Sequence, residues 1–530
     1  MCVAMRLSFL ALLLVAISAC SRGAPAQSQA NDAGAANSGD DDAGATQSSS
    51  TDADSPPDDA AAPDDALASP DATRDAAPPP PTAYLTTDDL SQGLAQVALS
   101  LGPSTDAGAT ITIDPTTTYQ PILGFGASIT DSSSYVMTKY LSPAALQKTL
   151  AALFDAQLGV GLSFLRQPMG ASDFSSVGNF SYDDGAEDPT LANFTITQDL
   201  KATVPVLKQV LSIDPTLFIL GTPWSPPAWM KNNSSMNGTG GNSSESSGLA
   251  GDGYAPFGQY FVKFVQAYAA QGIPIAAVTP QNEPLNGAAA YPGMDLNAPS
   301  ELALIAQDIG PDFKSAHLAT LIWAYDHNWD VESYPEQIMA DPTAGPFTEG
   351  AAFHCYGGDP SAMTTFHQNY PGKSVYMTEC SGGTWQSDPF ANTIDLAIDS
   401  TANWAQAVAL WNMALDENAG PQNDGCNDCR GVITVNSQSG DVTYNADYFA
   451  LGHFSKFVRP GARRIGSTST SASINQVAFR NPDGRVAVVA HNTGSAVVTL
   501  QVGTGATAMS VLVPANAAVT VVWTPQVGGS

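Results

Sequence analysis

Two glutamates stand out in a chain of 530 residues that is only 13% charged. Glu283 lies in VTPQNEP and Glu379 in VYMTEC, each directly after a short apolar run. Hydrolysis of a glycosidic bond needs two carboxyl groups across the sugar ring. In the retaining version one is a nucleophile, which must be ionised to attack. The other is first a general acid and then a base, and must hold a proton for the leaving oxygen. A strand-end ion pair would explain either glutamate alone. Both together, each closing a buried run, point to paired-carboxylate chemistry.

The elements that must position them recur along the chain. Eight apolar runs begin at ILGFGASITD (122–131) and continue with GLSFLRQPMG (161–170), LFILGTPWSPP (217–227) and IAAVTPQNEP (275–284). TLIWAYDHNW (320–329), AAFHCYGG (351–358), SVYMTEC (374–380) and AVALWNM (407–413) complete the set. Helix-like stretches lie between several of them, as at 143–158, 199–213, 254–271 and 300–317. Short buried strands alternating with helices imply parallel βαβ units, and eight units predict an α/β fold, a (β/α)8 TIM barrel with its functional residues at the C-terminal strand ends. The fourth and seventh strands, which carry Glu283 and Glu379, then face each other across the mouth. Asp131, Arg166, Trp224, Asn282, His327, His354, Tyr356 and Trp411 fall at the same end. Residues 465–525 are instead β-branched runs broken by Gly, Asn and Pro, the texture of an all-β sandwich. ATITIDP (109–115) can add a strand from the N-terminal side, so the sandwich is expected to be built from both ends of the chain. The expected division is 86–117 for the N-terminal sandwich segment, 118–455 for the barrel and 456–530 for the C-terminal sandwich.

Residues 1–20 read as an export signal. Arg6 precedes an apolar stretch, Leu7 to Ile17, too short to span a bilayer. It ends Ile-Ser-Ala-Cys, which resembles a bacterial lipobox that would lipidate Cys20. An ordinary cleaved signal with an incidental Cys20 is the other reading. Residues 21–85 hold twelve Asp against Arg22 and Arg74 and almost no large apolar side chain, so they are expected to form a disordered spacer. The net charge of −31 argues against nucleic acid or anionic membrane as a partner. Any membrane association is expected to run through Cys20. No later segment is apolar enough to span a bilayer. The C-x-x-C at Cys426 and Cys429 fits a redox motif, half a zinc site or a tight disulfide; its loop-like, exported setting favours the disulfide. Alternation turns Cys355 and Cys380 away from the mouth on neighbouring strands, where they are either free thiols or a pair.

The stretches GFGASITDSS, SFLRQPMGASDFS, GTPWSPPAWMK, TPQNEPLN, FHCYGG, TECSGG, WNMALDENAGP and HFSKFVRPGARRI occur in one order over roughly residues 110–525. In this the chain resembles glycoside hydrolase family 30, the family of glucosylceramidase. The resemblance implies Glu283 as acid/base and Glu379 as nucleophile, and it places Asp131, Trp224 and Trp411 among the sugar-binding positions. Arg166 would keep Glu379 ionised, Asn282 would bond the sugar 2-OH, Tyr356 would bond Glu379, and His354 shares the Tyr356 strand. Core packing is the alternative for the tryptophans and for His327. The implied activity is a retaining β-glycosidase of glucosylceramidase or β-glucosidase type, acting on a carbohydrate or glycolipid. An endo-β-1,6-glucanase is the alternative within the family, and a non-catalytic carbohydrate-binding scaffold the alternative outside it. The motifs suggest no metal or organic cofactor.

Overall fold

The computed structural model describes residues 79–240, 244–504 and 507–525. Cys20, the signal and nearly all of the expected spacer lie outside them. Within the described residues eight strands close into a parallel barrel in sequential order. They are β1 (Gly124–Ser128), β2 (Phe164–Pro168), β3 (Phe218–Thr222), β4 (Ala277–Val278), β5 (Leu321–Asn328), β6 (Thr348–His354), β7 (Ser374–Glu379) and β8 (Ala405–Asn412). All of the anticipated helices form. Pro143–Phe154 starts on a Ser142 cap with Pro at its first position, as helix-start chemistry dictates. The expected 300–317 helix is three joined pieces, with a π segment at Ile305–Ile309.

The interior below the mouth is filled rather than hollow. Phe164, Leu220, Trp323 and Tyr376 pack there with Ala277, Ala352, Ala407 and Ala409. Trp323 stacks on Tyr376 at 3.5 Å between ring centroids. Large rings opposite alanines close the barrel floor, so the site can form only at the open end.

Three bulges shape that end. β5 pairs Tyr325 with Ala352 and His327 with Phe353, which leaves Asp326 extra. β7 pairs Met377 with Phe353 and Glu379 with His354, which leaves Thr378 extra. β8 pairs Leu410 with Ala127 and Asn412 with Ser128, which leaves Trp411 extra. Each extra residue re-aims a side chain that strict alternation would send elsewhere.

The second body is a ten-stranded sheet among the described residues, made from both chain ends as expected. It begins earlier than the sequence suggests. Thr82–Thr86, assigned in part to the spacer, is a strand paired along the C-terminal strand Ala517–Trp523, with Ala83 and Leu85 buried. Its polar neighbours hide this short alternation. His453, on the helix Ala446–Ser455 after the barrel, joins the two ends: one ring nitrogen lies 2.8 Å from Thr520 Oγ1 and the other 2.9 Å from Thr86 Oγ1.

Candidate active site

β4 is only two residues long, and the TPQNEP segment leaves it as a turn. Backbone bonds replace the missing ladder: Asn282 N–H donates to Pro223 O at 2.8 Å and Glu283 N–H to Asp326 O at 3.0 Å. Glu283 is held at φ +46°, a left-handed conformation that a non-glycine residue keeps only where its surroundings impose it. Its Oε2 accepts from Asn286 Nδ2 at 2.7 Å, and its Oε1 lies 3.1 Å from His354 Nδ1.

Arg166, in the middle of β2, is fully buried and organises the rest. Its guanidinium donates to Glu379 Oε2 (2.5 Å), Asn282 Oδ1 (2.7 Å) and Asp326 Oδ2 (2.7 Å). Its planar fork can serve three acceptors from three segments of the chain at once. Tyr356 O–H donates to the other oxygen of Glu379 at 2.8 Å. Asp326 takes Thr378 and Thr279 hydroxyls as well, and its Oδ1 lies 3.1 Å from His354 Nε2. An oxygen of Glu283, an oxygen of Glu379 and a nitrogen of His354 all lie within 4.8 Å of one another. These atoms have the donor chemistry a cation could use. Arg166 and a protonated His354 already supply positive charge there.

The carboxyls open on a cavity of about 570 Å³. Trp224 and Trp411 stack on one wall at 4.7 Å between centroids, with the Arg166 guanidinium 4.8 Å from the Trp224 ring. Asn282, His327 and Tyr356 also line it. His354 does not: it is buried behind, between Glu283 and Asp326. Asp131 does not line it either. Its carboxylate accepts from the Ser176 backbone N–H and hydroxyl and from Gln198, so it fastens the loop after β2. The acid this loop presents to the cavity is Asp173, whose Oδ1 has no partner among the described residues. Asp173 stands seven residues after Arg166, inside the stretch SFLRQPMGASDFS. Asp326 was also missed, because only the bulge in β5 turns it inward. Both cysteine pairs are disulfides, Cys355–Cys380 and Cys426–Cys429, and the second lines the cavity.

Charge follows from these contacts. Burial raises Glu283, but the hydrogen bond and charge of His354 outweigh it and hold the carboxyl at about 2. Burial also raises Glu379 and the nearby Glu283 adds to this, so despite His354 and Arg166 it stays above the ordinary range. Burial lowers His354, yet Glu379 and Asp326 bring it up to about 9. The order of the two glutamates is thus the reverse of the sequence expectation. His354 thus favours its protonated form near neutral pH, and it lies one hydrogen bond from Glu283. Asp173 is pushed well above the carboxylate range by burial and by Glu379.

Comparison with known proteins agrees with this geometry. The glycosyl hydrolase family 30 TIM-barrel domain matches residues 122–458, and that family's β-sandwich domain matches residues 461–521. The chain is 36% identical to an endo-1,6-beta-D-glucanase of Neurospora crassa, over 80% of this chain and 91% of that protein. It is 29% identical to the lysosomal acid glucosylceramidase of Mus musculus, over 75% and 80% respectively. The solved endo-beta1,6-glucanase BT3312 superposes with a TM-score of 0.78 at 32% identity, covering 84% of this chain and 99% of that one. Barrel, sandwich and paired carboxyls together make this chain a β-glycosidase, and it belongs to glycosyl hydrolase family 30.

Proposed function

We propose that this enzyme is a retaining endo-β-1,6-glucanase, with Glu283 as acid/base and Glu379 as nucleophile. The observation that carries the mechanism is the approach of the two carboxyls to within 4.8 Å. Retaining enzymes hold the groups about 5–5.5 Å apart, whereas inverting ones leave about 6.5–9.5 Å for a water. In the first step Glu379 attacks the anomeric carbon while the glycosidic C–O bond breaks. The proton held by His354 and Glu283 goes to the leaving oxygen. In the second step Glu283, now a carboxylate, takes a proton from water as its oxygen displaces Glu379, and the β configuration returns. Arg166 and Tyr356 keep donors on both Glu379 oxygens. Asn282, Asp173, Trp224 and Trp411 bind the ring, through hydroxyl contacts and apolar indole faces.

The closer similarity to the Neurospora glucanase than to the mouse glucosylceramidase supports the polysaccharide reading. A glucosylceramidase-like β-glucosidase, with a part in sphingolipid breakdown, is the second reading. A non-catalytic scaffold would have no use for this charge network. A panel of aryl β-glucoside, β-1,6-glucan and glucosylceramide tests the proposal. Internal cleavage of the glucan to oligosaccharides, with β-anomeric product in early proton NMR, is expected. Release of glucose alone would favour the second reading, and an α product would overturn the mechanism. We also propose export and lipid attachment at Cys20. Cys20→Ser should move the protein from the membrane fraction to the soluble exported one, and wild type that is already soluble after export would refute this.

A further inference from the structure

The cavity over the carboxyls has a neighbour. A second hollow of about 780 Å³ lies beyond β6 and β7 and shares Tyr356, Ser381 and Trp385 with the first. Trp385 forms the ridge between them and is 54% exposed. An indole left this open is unusual unless something covers it. It is also fixed in place. The ring lies so close over Gly383 that a Cβ there would stand 2.0 Å from it. Gly382–Gly383 pairs with Cys429–Arg430, and Arg430 reaches Gln386 at 2.8 Å while its Nε is paired with Asp447. The turn that carries the indole is therefore anchored at both ends.

The two hollows adjoin where Tyr356, Ser381 and Trp385 line both, and Glu283 and Glu379 line only the first. Asp173, Trp224 and Trp411 wall the first from β2, β3 and β8. The second is lined by the segments that follow β5, β6 and β7. Its lining is aromatic and polar, with Trp329, Gln386, Asn392 and Asp395 but no Lys or Arg. Such a lining suits neutral hydroxyl-bearing rings and disfavours anions.

From this we infer that the second hollow is a leaving-group subsite, where a sugar unit of a β-linked glucan chain stacks on Trp385 while the bond on its far side is cut over Glu283. The inference rests on the glucanase reading and adds to it where the chain runs. A stacking indole gives the chain a grip that a small aryl leaving group does not use.

The test compares Trp385→Ala and the hollow-filling Asn392→Trp with wild type. In both variants the ratio of kcat/KM on β-1,6-glucan to kcat/KM on an aryl β-glucoside should fall about tenfold, the scale of one aromatic contact. An unchanged ratio in both would overturn the subsite. A second measurement does not depend on turnover. Gluco-oligosaccharides of two to four β-1,6-linked units are titrated into Glu379→Gln by calorimetry. Affinity should rise with length, and the rise should vanish in the Glu379→Gln, Trp385→Ala double variant. A rise that persists there would also overturn the subsite. Wild type inactive on β-1,6-glucan, with length-dependent binding intact, would sink the substrate reading and leave the subsite standing.

Discussion

His354 Nδ1 and Glu283 Oε1 are 3.1 Å apart, and the far nitrogen of the same ring faces Asp326. The favoured protonated form of His354 and the depressed pKa of Glu283 predict that the two groups share one acid proton. Activity therefore needs Glu379 deprotonated and this proton present. The rate should rise with pH through the Glu379 ionisation, which is above the ordinary glutamate range, and fall as the shared proton is lost, at up to about pH 9. His354→Gln leaves Glu283 to hold the proton alone. The falling limb should move to lower pH, with about a 10²-fold loss at pH 8 on substrates with poor leaving groups. A falling limb that stays in place would refute the shared proton.

Glu283→Ala carries a separate signature. Poor leaving groups need protonation and activated aryl groups do not, so losses should be about 10²–10⁴-fold for alkyl glycosides and far smaller for dinitrophenyl ones. Equal losses across a leaving-group series would remove Glu283 from the acid role.

Glu379→Ala should lose about 10⁴-fold or more in turnover. Azide, fitting the space left by the carboxylate, should restore activity with an α-glycosyl azide as product. A fluoro-sugar trapped on the wild-type enzyme should be found on Glu379 by peptide mass spectrometry. Labelling of any other carboxylate would end this assignment.

The barrel was legible because eight short apolar runs recur with helix-like stretches between several of them, and Glu283 and Glu379 because a carboxyl closing a buried run is rare in so weakly charged a chain. Asp326 was hidden by the bulge in β5, since period-2 reasoning has no way to place an inserted residue. Asp131 was misjudged for a related reason. It follows β1 directly, but as the first residue of the helix Asp131–Tyr140 it turns to Ser176 and holds the loop whose Asp173 reaches the cavity. The pKa order of the glutamates was beyond the sequence altogether, because it depends on which of two buried carboxyls stands nearer His354. Alternation did succeed for Cys355 and Cys380, which pair outside the mouth.

Arg166→Met tests the buried network. It removes one of the two cations that face Asp326 and Glu379, the other being His354, and breaking a buried pair from one side costs about 3–5 kcal/mol. The melting temperature should fall, and the rising limb of the pH profile should move to higher pH because Glu379 loses a group that favours its charge. An unmoved rising limb in folded protein would show that Arg166 serves stability alone.

The join between the chain ends should respond to acid. His453 is fully buried between Thr520 and Thr86, and burial lowers its pKa to about 3. The folded state therefore favours the neutral ring, while the unfolded chain protonates it near 6.5. Its contribution to stability is complete above about pH 6.5 and is lost progressively as pH falls from there toward about 3. One such group adds a slope of about 1.4 kcal/mol per pH unit across that window. The amide introduced by His453→Gln can still bond both threonines but does not titrate. The difference in unfolding free energy between wild type and His453→Gln should be flat above about pH 7 and should tilt against wild type below about 6.5. The many carboxylates common to both proteins cancel in that difference. Parallel stability curves from about pH 7 to about pH 4 would mean that the ring is solvated or charged in the fold, and that His453 does not tie the two ends as a neutral bridge.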